Sequence, residues 1–147
     1  METLQDFKVD LALLVEGGLI AIKQGDEESA KKLFNAVGIL DPQNMVRKMG
    51  YGIIALHKMD IKTSQKHFRE ILQIEKTNWR AQVFLAFSHI LSVLQEGSPK
   101  EKYESLEIGA TLAQEVLEKS NTPSTLQLAK SLLEWEKELQ DKVKTSP

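Results

Sequence analysis

The sequence predicts an all-α chain of short antiparallel helices, stacked as repeated helical hairpins into a solenoid and closed by a capping helix. Three observations carry this. Apolar residues recur at steps of three and four, beginning with Leu4, Phe7, Leu11, Leu14, Val15, Gly18, Ala21 and Ile22, which is the spacing of one helix face. Only four prolines and eight glycines interrupt 147 residues, and β-branched residues are scattered rather than alternating, so no strand signal forms. Finally, the chain resembles itself when shifted by 34 residues: Gly18 meets Gly52, Ile20 meets Ile54, Ala21 meets Ala55, Asp26 meets Asp60, Lys32 meets Lys66, Phe34 meets Phe68 and Asn44 meets Asn78. A fixed period of that size marks a repeat architecture.

The first helix begins at about Leu4 and stops at Gln24-Gly25-Asp26, where glycine ends the periodic pattern. The second runs from Asp26 or Glu27 to about Leu40. Its first-turn acids complement the helix dipole, and Asp41-Pro42 ends it because a residue before proline is pushed out of the helical region. Further helices are predicted over Met45–Met59, Ile61–Glu75, Asn78 or Trp79 to Gln95, Pro99–Lys119 and Ser124–Val143. Connections this short make neighbours antiparallel. The chain therefore reads as one domain, 1–147, with repeats at about 11–44, 45–78 and 79–123 and a cap helix over 124–143. The cap places Leu128, Leu132, Trp135, Leu139 and Val143 on one stripe and leaves Glu134, Glu136 and Glu138 to a solvated face, as the exposed end of a solenoid requires.

Composition narrows the function. Lys and Arg total 19 against 21 Asp and Glu, so the basic excess that phosphate neutralisation needs is missing and nucleic acid is not expected as a partner. The absence of cysteine removes disulfides, thiolate metal sites and cysteine nucleophiles. The first residues carry acids where a secretory signal would carry a basic segment. The longest uncharged run, Ala81 to Gln95, is shorter than the ~20 apolar residues a membrane span needs, so no membrane is expected either.

No chemistry is called for. His57, His67 and His89 stand outside any HExxH spacing, and neither a metal nor a cofactor is expected. Gly17-Gly18 lies inside a helical pattern and reads as close helix packing rather than a dinucleotide loop. No serine stands in G-x-S-x-G. The expectation is a non-enzyme.

The 34-residue helix–turn–helix period resembles the tetratricopeptide repeat. In the first copy Gly18 takes the small position of the first helix, Ala30 that of the second, Phe34 the aromatic position and Pro42 the closing proline. Small residues let the paired helices approach, and the ring fills the space toward the next repeat. The second copy keeps Gly52, Ser64 and Phe68 but has Lys76 in place of the proline. The third begins at Trp79 with Leu85 and Ala86, then inserts Glu96-Gly97-Ser98-Pro99; Gly109, Ala110 and Ala113 all compete for its small position.

In that family the first helix of each repeat lines a concave groove. Carried over, the resemblance implies a groove of Ala12, Val15, Leu19 and Ile22, then Val46, Met49, Ile53 and Leu56, then Arg80, Val83, Phe87 and Ile90. All but Ala12 and Arg80 are large and apolar, so a charged peptide end is poorly served and an apolar or amphipathic helical segment fits better. Such a surplus of apolar surface implies a covering partner. Three covers internal to the protein compete with it: the N-terminal turn around Leu4 and Phe7, the C-terminal helix, or a homodimer.

A short cysteine-free chain with this groove is similar to the tetratricopeptide chaperones of bacterial type III secretion. The string Ala30 to Pro42 and the later Leu112-Ala113-Gln114-Glu115-Val116-Leu117 carry the likeness. It implies a virulence-associated bacterial cytoplasmic protein that sequesters a secreted needle subunit, often with a small co-chaperone, or a hydrophobic translocator. The alternative is a constitutive adaptor or assembly scaffold unrelated to secretion.

Overall fold

The computed structural model describes residues 4–145, with side chains over 13–144. The described residues form seven helices and no strand, with 83% helix. They are α1 (Leu4–Lys23), α2 (Glu27–Leu40), α3 (Val46–His57), α4 (Ile61–Ile74), α5 (Trp79–Leu91), α6 (Pro99–Lys119) and α7 (Pro123–Thr145), with a 3-10 turn over Ser92–Leu94. The all-α expectation holds. The helices gather into two compact units, one ending at Asp60 and the other starting at Ile61. That division falls inside the stretch 45–78 read as the second repeat.

In the first unit α1, α2 and α3 each pack on the other two. Asp26 caps α2 by accepting the Ser29 N–H at 3.1 Å, which satisfies an otherwise unpaired amide. Asn44 serves α3 by accepting the Val46 N–H at 2.9 Å. The core is Ala21, Ile22, Ala30, Phe34 and Ile54. The Phe34 ring lies between two glycines of neighbouring helices. A Cβ on Gly18 would fall 2.7 Å from its Cζ, and one on Gly50 would collide with its Cδ2. The ring thus fills the seam from α2 to both α1 and α3, and the small residue that receives it on α3 is Gly50.

The 34-residue shift reappears in the backbone. At the end of α1, Asp26 N–H donates to Ala21 C=O at 2.8 Å and Gly25 N–H to Ile22 C=O at 3.0 Å. At the end of α3, Asp60 N–H donates to Ala55 C=O at 2.8 Å and Met59 N–H to Leu56 C=O at 3.0 Å. Both are Schellman closures, in which the residue after the cap turns left-handed, and Gly25 and Met59 have φ of 75° and 60°. This closure ends α3 at His57, before the Met59 boundary expected from periodicity. Buried positions repeat as well, with Ala30 and Ser64 both fully buried and Phe34 and Phe68 likewise.

In the second unit α4 packs on α5, α5 on α6, and α7 on both α5 and α6. Ser98 caps α6 by accepting the Glu101 N–H at 3.1 Å, and Pro99 takes the first helical position, where its missing N–H costs nothing. On α6, Gly109 receives Ile90: a Cβ there would meet Ile90 Cγ1 at 2.6 Å and the Ala86 carbonyl at 3.1 Å. Ala113 is fully buried beside it in the core, while Ala110 is only half-buried. Two expectations change. α5 ends at Leu91 instead of Gln95, in a 3-10 turn where Ser88 and Ser92 hydroxyls donate to the Leu85 and His89 carbonyls at 2.6 Å, competing with the backbone ladder. On α7 the buried stripe runs Thr125, Ala129, Leu132, Glu136, Leu139, Val143, at alternating steps of four and three. Glu136 is therefore buried, not solvated, while Trp135 and Leu128 flank the stripe half-buried.

Candidate functional site

The residues expected to line a groove separate by unit. On α1, Val15 and Leu19 are half-buried and Ile22 is buried at 7% exposure. On α3, Val46 and Ile53 are half-buried, while Met49 and Leu56 are buried. Leu19, Val46 and Ile53 pack against the Phe34-centred core from outside. They form an apolar row that is partly open to solvent. The Ala12, Leu4 and Phe7 side chains lie outside the described ones. Helix α3 holds no acid in Val46–His57. Arg47 lays its stem and guanidinium over Gly38, and Tyr51 OH donates to Asn35 Oδ1 at 2.7 Å. Those two contacts fix α3 against α2 and set the direction of its row.

On α5 the matching residues have another fate. Val83 is 1% exposed and Ile90 0%, and both belong to the core shared with Leu132, Leu139 and Val143 of α7. Phe87 is half-buried, its ring edge-on to Trp135 with centroids 6.2 Å apart at 69°. The C-terminal helix covers this face, the second of the three internal covers named above. Arg80 is exposed. Val83 and Ile90 are thus enclosed in a core that α6 and α7 complete together.

The histidines do not converge. His57 is exposed at the end of α3, His67 is half-buried on α4 and His89 is buried on α5. His89 Nδ1 lies 3.4 Å from Gln65 Nε2, so the amide N–H2 faces a ring nitrogen that must accept. Burial, aided by the Arg69 cation, pushes the imidazole down to about 4, because the charged form would be desolvated. The ring is therefore a neutral packing group at neutral pH. Glu136 shifts the opposite way: burial raises its pKa, while Gln140 donating to its Oε1 lowers it. Among the described residues no three of His, Asp and Glu cluster so as to hold a metal, and no helix is long and apolar enough to cross a membrane.

A pocket of about 130 Å³ opens beside the α1–α2 turn, lined by Ile22, Gly25, Glu27, Ile54, His57 and Lys58. Its lining draws on three helices and a turn, whereas sequence periodicity reports only one helix face at a time. Set beside known proteins, the chain matches no family model, no curated protein and no solved structure.

Proposed function

We propose that this protein is a non-enzymatic binding module of tetratricopeptide-like hairpins, and that it holds an apolar or amphipathic helical segment of another protein along the α1 and α3 row. The observation that carries the reading is the half-exposure of Val15, Leu19, Val46 and Ile53 on two adjoining helices. Leu19, Val46 and Ile53 are seated on the Phe34 core and only partly covered by it. Each is already largely covered, so burying the remainder contributes only a fraction of the roughly 1.5–3 kcal/mol of a full Leu or Ile burial, and several such residues must act together to offset the ordering of a helical ligand. The 34-residue recurrence of the helix closures supports the repeat assignment.

The partner class follows from the resemblance in the sequence. A bacterial cytoplasmic chaperone of type III secretion would occlude the polymerising surface of a needle subunit, or the membrane-seeking surface of a translocator, until export. The row suits occlusion because it offers apolar shape and no acid on α3.

Co-expression with the needle subunit and, separately, with the hydrophobic translocators of the same genome tests this by pull-down. One of them is expected to co-purify as a soluble complex, and Leu19→Asp and Ile53→Asp to weaken capture by at least about tenfold while leaving helicity unchanged. If both variants fold and capture the partner as well as the parent chain does, the row is not the binding surface. If neither class of substrate is captured, the secretion role falls and a constitutive adaptor is the reading to pursue.

A further inference from the structure

We infer that the pocket beside the α1–α2 turn is an anchor site for a single aliphatic side chain carried next to a carboxylate, which assigns the proposed row a sequence preference at one end. The inference deepens the proposed function, since Ile22 belongs to both the row and the pocket. Its volume of about 130 Å³ is on the scale of one leucine or isoleucine side chain, and its floor is Ile22 and Ile54, both core residues. Gly25 contributes no side chain, and nothing lies within 4 Å of where its Cβ would stand. The mouth therefore stays open on that side.

Charge supplies the second half of the preference. Glu27 is the acid in the lining, and its Oε1 already accepts from two ammonium groups, Lys31 Nζ at 3.0 Å and Lys58 Nζ at 3.2 Å. Those lysines hold the Glu27 carboxyl below its ordinary range, so it stays ionised and engaged. Lys58 retains further N–H donors, and the exposed imidazole of His57 stands beside it in the lining. Two ammonium groups against one carboxylate leave the mouth with a cationic excess, which an incoming carboxylate balances. A basic residue in the same place would add a third cation beside Lys31 and Lys58 around one carboxylate. The occupant that fits is accordingly an aliphatic residue adjacent to Asp or Glu in the partner segment.

Nitrogen-15 NMR titration of the isolated full chain tests this, using N-acetyl-Leu-Asp-amide, N-acetyl-Leu-Lys-amide and N-acetyl-Gly-Asp-amide. Saturable shifts are expected at the amides of Gly25, His57 and Lys58 with both leucine probes. The acidic probe should bind about two- to fivefold tighter, the scale of an exposed ion pair, and the glycine probe should produce no saturable change. His57→Glu should cancel or invert the preference between Asp and Lys. The proposal is overturned if no probe gives saturable shifts there, if the glycine probe matches the leucine probe, or if His57→Glu leaves the preference intact. Because the readout is local and needs no protein partner, failure here is distinguishable from failure of the pull-down with Leu19→Asp and Ile53→Asp.

Discussion

The two compact units meet one physical problem with different outcomes. In each, a helix carries more apolar surface than its own hairpin partner can bury. For α5 the remainder is covered within the chain: Val83, Ile90 and Phe87 lie in a core closed by Leu132, Trp135, Leu139 and Val143 of α7. On α1 and α3, Val15, Leu19, Val46 and Ile53 stay partly exposed, while Ile22, Met49 and Leu56 are buried. The same groove spacing thus leaves several apolar residues partly open in the first unit and, Phe87 apart, encloses them in the second. What decides is whether a later helix brings a matching stripe, and α7 does so for α5.

The strongest way to break this comparison is to place the same charge in both rows. Ile90→Asp buries a carboxylate at a fully enclosed position, with a cavity and an unpaired polar group as added costs. It should destabilise the second unit by more than about 4 kcal/mol. Ile53→Asp, at a half-exposed position, can hydrate its carboxylate and should cost about 1 kcal/mol. Urea unfolding followed by circular dichroism checks both. Equal losses would mean that the α1 and α3 row is as closed as that of α5, and the proposed surface would go with it.

A smaller effect, confined to the second unit, comes from His89. Its folded pKa of about 4 lies below the ordinary 6.5, so the unfolded chain binds the proton more readily and stability rises with pH. The neutral-ring contribution is fully present above about pH 6.5 and is lost as pH falls toward 4, to a total of about 3 kcal/mol. Protonation also removes the acceptor that faces Gln65 and places a second cation near Arg69. Chemical denaturation between pH 7 and 4 should show this slope, and His89→Gln should flatten most of it. A parent and variant with the same pH profile would refute the assignment to His89.

Much of this architecture was legible in the residues themselves. The helix starts at Glu27, Trp79 and Pro99 and the stop at Lys119 follow from caps, prolines and periodicity, all of which act within a few residues. The role of Phe34 as a seam-filling ring was also readable, because the small residues it needs recur at fixed spacing. What escaped is set by contacts distant in sequence. Reading α7 by its bulkiest residues placed Trp135 on the buried stripe and Glu136 on the surface. The packed helix instead buries Glu136, four residues after Leu132, because the two stripes are only one position apart. The burial of Val83 and Ile90 depended likewise on α6 and α7, whose core residues come later in the chain. The pocket at Gly25 was invisible because Ile54, His57 and Lys58 come to it from α3.

The smallest effect compares two closures of identical hydrogen-bond pattern within the first unit. Gly25 and Met59 occupy the same left-handed position, 34 residues apart, with φ of 75° and 60°. Glycine adopts this conformation freely, whereas a residue with a Cβ meets the following carbonyl at a cost of roughly 1–2 kcal/mol. Met59 is held there by the Asp60 to Ala55 and Met59 to Leu56 hydrogen bonds, so the turn is formed against a local preference. Met59→Gly should therefore raise stability by up to about 1 kcal/mol, offset in part by the greater freedom of glycine in the unfolded chain. Gly25→Ala should lower stability by about 1 kcal/mol, although nothing crowds the added methyl. Thermal melts of the two variants give the signs directly. Opposite signs would mean that the second closure carries a strain the first avoids, whereas a loss at both positions would show the Met59 side chain contributing more through packing than its backbone gives up.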